Sequence, residues 1–240
     1  MAEYWSAADV LKQLAGELGL PRIPSIATVD DVQSVQLLSL LNSAGNELNL
    51  FYPWAQFSKE WTWVTVKGQG DYDLPEDWAY FKDQTQWDRT DHWPLLGPKS
   101  AQEWAWLKNA LVAALPRQRF RVANGKFMLW PVPGSPNMTM SMEYVVKNWV
   151  TSGTSSTSMV TQDGDVIQYN PWLIIKFVKM KFYELKGFPT TGVQGDFMRI
   201  FNSLTGKDVG AKILSLAPRA ISPYIGPWSV PDGSWNITGA

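Results

Sequence analysis

The chain lacks cysteine and has a single histidine, His92, among its 240 residues. Without cysteine it has no disulfide framework, no thiol nucleophile and no thiolate zinc site, and it fits assembly in a reducing cytoplasm. The sequence also has no Gly-x-Ser-x-Gly elbow, no phosphate-binding P-loop and no pair of histidines at metal-ligand spacing. We therefore expect no enzyme activity, no cofactor and no metal.

Long apolar runs and an excess of one charge are also missing. No run reaches the roughly 18 apolar residues that span a bilayer, so we expect no membrane segment. The first residues, MAEYWSAADVLKQL, lack the apolar centre of a signal peptide, which predicts a mature protein that begins at or near Met1. With 21 basic and 22 acidic residues, the whole molecule has no electrostatic preference for nucleic acid or membranes.

Charged residues make up only 18% of the chain, whereas tryptophan occurs 14 times. Ordinary globular domains carry about 25% charged residues. Tryptophan is enriched where proteins bury surface against partners. The composition therefore fits either a tryptophan-rich core or surfaces that bind other proteins, and we favour the second interpretation.

Hydrophobic periodicity predicts an α+β fold. Apolar spacing and capping residues indicate helices over 6–18, 31–50, 100–114, 170–187 and about 194–205. Residues 60–148 read mainly as β-structure, with a hairpin turning at Asn124-Gly125. Asp30, with Gln33 three residues on, predicts the start of the second helix. The Ser/Thr-rich stretch 151–158 predicts a flexible link.

The second predicted helix has a polar face with almost no charge. An amide and hydroxyl face suits burial against another protein, because unpaired charge would be costly there; a neutral solvated face is the alternative. The fourth helix is apolar around half its circumference, which indicates packing on more than one side. We predict a subunit interface from these two helices, formed by Gln36, Ser39, Asn42, Asn46, Asn49, Trp172 and Phe177.

Residues 206–240 are rich in proline and glycine yet too apolar for a solvated tail. We predict an extended arm that docks on another protein, and the alternative is a segment that wraps back on its own domain. The predicted docking residues are Ile213, Leu216, Ile221, Tyr224, Trp228 and Trp235.

Three arginines, Arg117, Arg119 and Arg121, alternate along a predicted strand and would project from one sheet face. They suit contact with phosphate without sequence readout, or ion pairs with a neighbouring subunit. Carboxylates also cluster near Asp71–Asp77 and around Arg89. These could serve glycoside hydrolysis, but turn formation around a proline and a structural Asp88–Arg89 ion pair explain them better.

The stretch LLNSAGNELNLFYPWAQFSKEWTWVTVKGQGDYDLPEDW (40–78) resembles the head-to-tail adaptor proteins of tailed bacteriophages. The stretch has the pattern of these proteins. A long helix is followed by an aromatic segment around Trp54, a strand, a glycine turn and the sequence Tyr72-Asp-Leu-Pro-Glu-Asp-Trp78. The resemblance continues through 85–109, 120–133 and 142–150 and covers about residues 30–190.

This resemblance implies a helical bundle with an inserted antiparallel β-domain and an extended C-terminal arm. The corresponding ranges would be 1–58 and 151–205 for the bundle, 59–150 for the insert and 206–240 for the arm.

The resemblance also implies a role and a set of partners. Copies would form a ring, usually of twelve, that joins the portal protein to tail or nozzle proteins at the head–tail interface of the virion. Double-stranded DNA would pass through the ring without specific binding, and assembly would occur in the host cytoplasm. Two rival interpretations remain: the hydrolase, and a carbohydrate-binding β-module with Trp61, Trp63 and Trp130 as sugar platforms.

Overall fold

The computed structural model describes residues 4–21, 25–26, 31–109 and 117–208. The predicted α+β class is confirmed, with helices and antiparallel sheets in the described part of the chain. The described residues form two compact units. Of the described residues, unit 1 comprises those up to Ser58 and those from Val145 to Asp208, and unit 2 comprises Lys59–Tyr144. Unit 2 is thus an insertion into the sequence of unit 1.

The helices lie mostly in unit 1. They are α1 (Ala7–Leu18), α2 (Val32–Phe51), α3 (Ala101–Asn109), α4 (Pro171–Lys186) and α5 (Thr191–Asp208). Among the helices of the described residues, α3 belongs to unit 2 and the others to unit 1, and a short 3-10 turn, Ala55–Phe57, follows α2.

The strands are short. The first six are β1 (Trp5–Ser6), β2 (Ser58–Val64), β3 (Asp71–Asp73), β4 (Trp78–Phe81), β5 (Trp87–Asp88) and β6 (Trp93–Pro94). The others are β7 (Arg119–Ala123), β8 (Lys126–Trp130), β9 (Thr139–Val146), β10 (Val150–Ser152), β11 (Ser155–Thr157) and β12 (Val166–Ile167).

Side-chain caps fix the ends of the helices. The Ser6 hydroxyl accepts the Asp9 backbone N–H at the start of α1, and Asn170 caps α4 just before its proline. The cap predicted for α2 is corrected: Asp31 accepts the Ser34 N–H, whereas Asp30 lies outside the described residues. In α3, Ser100 and Glu103 form the predicted capping box.

The core of unit 1 is built around α4, which packs against α1, α2 and α5. Its buried side chains are Leu173, Ile174, Ile175, Phe177, Val178 and Phe182. They cover most of the helix circumference, as the breadth of its apolar face predicted. Gly187 ends the helix in the left-handed conformation, with φ 73°.

A four-stranded antiparallel sheet in the order β1-β12-β10-β11 completes unit 1. The prediction of a flexible link over 151–158 is wrong, because β10 and β11 pair there as a hairpin that turns at Gly153. Threonine is common in strands, and β10 also pairs with β12.

Unit 2 contains two further sheets. The antiparallel sheet β3-β8-β7 includes the predicted hairpin, in which Asn124 and Gly125 both have positive φ. The second sheet runs β2-β9-β5-β6, with β4 also paired to β9. A cluster of buried aromatic and aliphatic side chains forms the core of this unit, with Phe120 and Phe127 fully buried and stacked at 5.1 Å.

Across the ranges that the structure describes, none of the helices has the length and apolarity needed to cross a membrane. The same residues hold no group of three or more metal-ligating side chains.

Candidate interaction surfaces

Three asparagines of α2 point at the segment that returns from the insert. The Asn42 side chain donates to the Val160 carbonyl at 3.2 Å and accepts the Val160 N–H at 2.7 Å. Asn46 accepts the Trp149 indole N–H at 3.0 Å, and Asn49 donates to the Val146 carbonyl at 2.8 Å. Spacings of four and three residues place the three amides, here called the asparagine row, on one helix face.

Gly45 lies within the asparagine row and allows the closest approach. The ring of Trp149 lies so near that a side-chain carbon on Gly45 would come within 2.2 Å of it. Trp149 is fully buried, and the Tyr169 hydroxyl donates to the Gly45 carbonyl at 3.0 Å. The absence of a side chain at this position therefore lets an indole ring pack directly against the helix backbone.

These contacts correct part of the predicted subunit interface. Asn42 and Asn49 are buried inside unit 1, and Phe177 is only 2% exposed. The uncharged face of α2 is thus buried within unit 1 at Asn42 and Asn49, where the amides form hydrogen bonds with backbone groups. Asn46 and Ser39 remain exposed and Gln36 half-buried, so their contact with a neighbour remains a prediction, as it does for Trp172, which is 45% exposed.

A partly exposed aromatic cluster lies at the N-terminal ends of α1 and α4. Trp5 and Trp172 meet edge to face, with ring centroids 5.6 Å apart. Tyr4 beside them is 47% exposed. Tyr4, Trp5 and Trp172 are here called the tryptophan knob. Exposed tryptophan and tyrosine in one cluster are typical of residues that anchor protein interfaces.

A second apolar surface is concave. It is a groove of about 250 Å³ between α2, α4 and α5. Its floor is aromatic, because Phe177 stacks on Phe197 at 4.6 Å and meets Phe51 edge to face at 5.7 Å. Met180 and Met198 also line this methionine groove, as it is called here. Phe51 is 55% and Met198 43% exposed.

An ion cluster joins α1 to α4 on the face that carries the tryptophan knob. The Glu17 carboxylate accepts hydrogen bonds from Lys176 at 2.7 Å and from Lys179 at 2.9 Å. Burial alone would raise the pKa of Glu17, but the hydrogen bonds and charges of the two lysines outweigh it and hold that pKa below its usual value. One carboxylate against two ammonium groups leaves this face with a positive charge.

The arginine stripe is only partly in a strand. Arg119 and Arg121 lie on β7 and alternate with core-facing Phe120, whereas Arg117 precedes the strand. The Arg117 guanidinium instead lies over the Trp93 ring, 4.7 Å from its centroid. Among the described residues none of the three arginines forms an ion pair, so both predicted roles, phosphate contact and pairing with a neighbouring subunit, remain predictions.

The carboxylates of unit 2 make structural contacts. Asp88 accepts backbone N–H groups from Thr90 and Asp91, and burial raises the pKa of Asp88. The predicted Asp88–Arg89 pair is wrong, because Arg89 bridges to Glu60 instead. The Asp88 carboxylate instead stabilises a local turn, because it accepts the N–H groups of the second and third residues after it.

A second structural carboxylate of unit 2 is Asp77. It binds Lys59 at 2.7 Å and the Tyr144 hydroxyl at 2.8 Å. Burial and this carboxylate raise the pKa of Tyr144, whereas Lys59 and Tyr144 outweigh burial at Asp77 and lower its pKa. The contacts of Asp77 thus tie together the two ends of the unit 2 sequence.

Two of the three proposed sugar platforms cover each other. Trp61 and Trp63 stack on each other with centroids 3.9 Å apart, and Trp63 is 9% exposed. Trp130 is half-buried in β8. A sugar ring needs a free aromatic face, so this arrangement does not favour the carbohydrate-binding interpretation. The predicted docking residues of the arm, from Ile213 to Trp235, lie outside the described residues.

The sequence of this chain matches a family of known proteins. The sequence model of the SU10 adaptor proteins matches residues 6–185, which is 180 of the 240 residues. The chain therefore belongs to the SU10 adaptor protein family, a family of structural adaptor proteins of phages. The match includes the asparagine row and all of unit 2, but not α5. No curated protein matches the chain significantly.

Proposed function

We propose that this protein is a structural part of the virion that forms a ring between the portal and the tail of a phage and continues the DNA channel. The family match supports an adaptor role. The observation that supports ring formation is the presence of two separate apolar surfaces on unit 1, the tryptophan knob and the methionine groove. Soluble monomers rarely expose large apolar patches, and such patches mark binding sites.

The two surfaces are built from different residues. Two different surfaces on one chain suit a head-to-tail contact, in which each copy presents its knob to the groove of the next. Such contacts close into a ring when the rotation between copies divides a full turn. The proposed ring has twelve copies, a number that rests on the resemblance to head-to-tail adaptors and not on the geometry of one chain.

The C-terminal residues 209–240 are the proposed contact with the portal. Their apolar residues need burial, and an extended segment of about 30 residues could reach roughly 100 Å. A ring with many such contacts would bind tightly even if each contact were weak. The near-neutral charge of the chain suits a channel through which DNA slides, since a strongly basic wall would bind phosphate.

A mixture of the purified protein with its cognate portal tests this proposal. Cryo-electron microscopy should show a ring coaxial with the portal, and the copy number follows from its symmetry. A variant that ends at Asp208 should remain folded by circular dichroism and fail to join the portal. Free monomers beside bare portal rings would contradict the adaptor function, and loss of folding in the shortened variant would show that the arm belongs to the core.

The arginine stripe distinguishes a channel wall from a subunit contact. A variant in which glutamine replaces all three arginines, Arg117, Arg119 and Arg121, should assemble rings less well if these residues pair with a neighbouring subunit. If they face DNA, assembly should be unchanged, while packaged DNA should be retained less well.

A further inference from the structure

We infer that the tryptophan knob of one copy binds in the methionine groove of the next copy, so that these two surfaces form the ring contact. This inference rests on the proposed function, since it names the partner surface of each patch within the ring. Trp5 and Met198 lie outside the matched family region of 6–185, so the inference comes from the geometry of this chain.

The two surfaces lie on different sides of the same helix. An α-helix turns by about 100° per residue. Met180, Phe177 and Glu184 therefore lie about 80° to 140° around α4 from Trp172. A contact between two identical patches would make a closed dimer. A contact between two different patches instead produces a head-to-tail array, which closes into a ring when the rotation between copies divides a full turn.

The chemistry of the two surfaces is complementary. Tryptophan and tyrosine rings carry large apolar areas on stiff side chains. The methionines of the groove can adjust their shape around such a ring, and sulfur makes favourable contacts with aromatic edges. The groove already presents Phe51 as an exposed aromatic wall, 55% exposed, against which an incoming indole can pack edge to face.

The charges at the rims also differ in sign. Near the knob, Glu17 is outnumbered by Lys176 and Lys179, which leaves a positive charge. At the groove, Glu47 and Glu184 outnumber Lys181, which pairs with Glu47 at 2.5 Å. A positive rim that meets a negative rim fixes the orientation of the contact and opposes knob-to-knob pairing.

Cysteine crosslinking provides the test, because the chain has no cysteine of its own. Gln13 lies beside Tyr4 and Trp5 at the knob, and Gln194 lies at the rim of the groove. The variants Gln13→Cys and Gln194→Cys, each alone and combined, are assembled with the portal and treated with a short bismaleimide. The combined variant should give a ladder of oligomers, an equal mixture of the single variants should give dimers, and each single variant alone should give neither.

Three crosslinking results would overturn the inference while leaving the ring in place. In the first, microscopy shows a ring but the mixed variants give no dimers. In the second, either single variant alone gives dimers. In the third, the combined variant gives a link within one chain. A map that shows residues 209–240 or the portal in the groove would overturn it as well. If no ring forms with the unmodified protein, the proposed function itself fails, and that result is distinct from the others.

A matched pair of substitutions checks the anchor role of the knob. Trp172→Ala should raise the protein concentration needed for ring assembly by about tenfold or more, because a buried tryptophan anchor commonly contributes that much. Trp106→Ala is the control, since Trp106 is 67% exposed on α3 of unit 2. It should change that concentration by less than about twofold, and equal effects of the two substitutions would overturn the inference.

Discussion

Replacing Gly45 with alanine should destabilise unit 1 strongly, although alanine is the better helix former. The added carbon would lie 2.2 to 2.5 Å from three ring atoms of Trp149, well inside van der Waals contact. The indole cannot swing aside, because it is fully buried and its N–H is held by Asn46 at 3.0 Å.

The expected loss follows from three contributions. Overpacking of a rigid core costs about 1–3 kcal/mol, and the upper end applies to an aromatic ring held on all sides. Displacement of the ring also breaks the hydrogen bond to Asn46, at about 1 kcal/mol. Helix propensity returns about 1 kcal/mol. We therefore expect Gly45→Ala to lower the free energy of unfolding of unit 1 by about 3 kcal/mol.

Gly16→Ala is the matched control. Gly16 is also inside a helix, α1, but a side-chain carbon there would meet no atom within 4 Å. The same change should stabilise unit 1 by up to about 1 kcal/mol. Equilibrium urea unfolding, followed by the helical circular dichroism signal and by tryptophan fluorescence, measures both variants. If the two variants agree within about 0.5 kcal/mol, the packing of Trp149 against Gly45 does not constrain the fold as argued here.

Three further predictions follow from polar contacts. Asn42→Ala should lower stability by about 2 kcal/mol in urea unfolding, because both backbone groups of Val160 lose their partner, whereas exposed Ser39→Ala should change little. Ser100→Ala should cost about 1 kcal/mol by removing the cap of α3, measured by thermal unfolding of unit 2. Glu17 stabilises the folded state at pH values above the ordinary carboxyl pKa, and this stabilisation is lost as the pH falls through the lowered pKa of the folded state. The difference in free energy of unfolding between wild type and Glu17→Gln should therefore vanish at acid pH. A difference that does not depend on pH would contradict this prediction.

Local sequence signals predicted local structure well. The Asn124-Gly125 hairpin, the α3 capping box and the C-terminal glycine of α4 each depend on residues a few positions apart, so the sequence alone could indicate them. The α2 cap lies one residue after the predicted position because two aspartates stand side by side. Either aspartate can accept the backbone N–H of the residue three positions after it.

Tryptophan content could not distinguish a core from an interface, because the structure uses both. Trp149 and Trp54 are buried at 0% and 4% exposure, whereas Trp106 and Trp172 are 67% and 45% exposed. Composition counts side chains without saying which sides of each helix are covered. The knob and the groove depend on how α1, α2, α4 and α5 pack together, since each surface draws its residues from distant parts of the chain.

Two of the corrections in unit 1 concern parts of the fold that contact each other. The polar face of α2 binds the segment from Val146 to Tyr169, which includes the stretch 151–158 that was predicted to be a flexible link. That segment is an ordered part of a sheet, and it supplies the carbonyl, N–H and indole groups that the asparagine row binds. An uncharged helix face therefore predicts that the face is buried, but it does not tell whether the same chain or another chain covers it. Any ring contact must use what remains exposed, and in unit 1 that includes the tryptophan knob and the methionine groove.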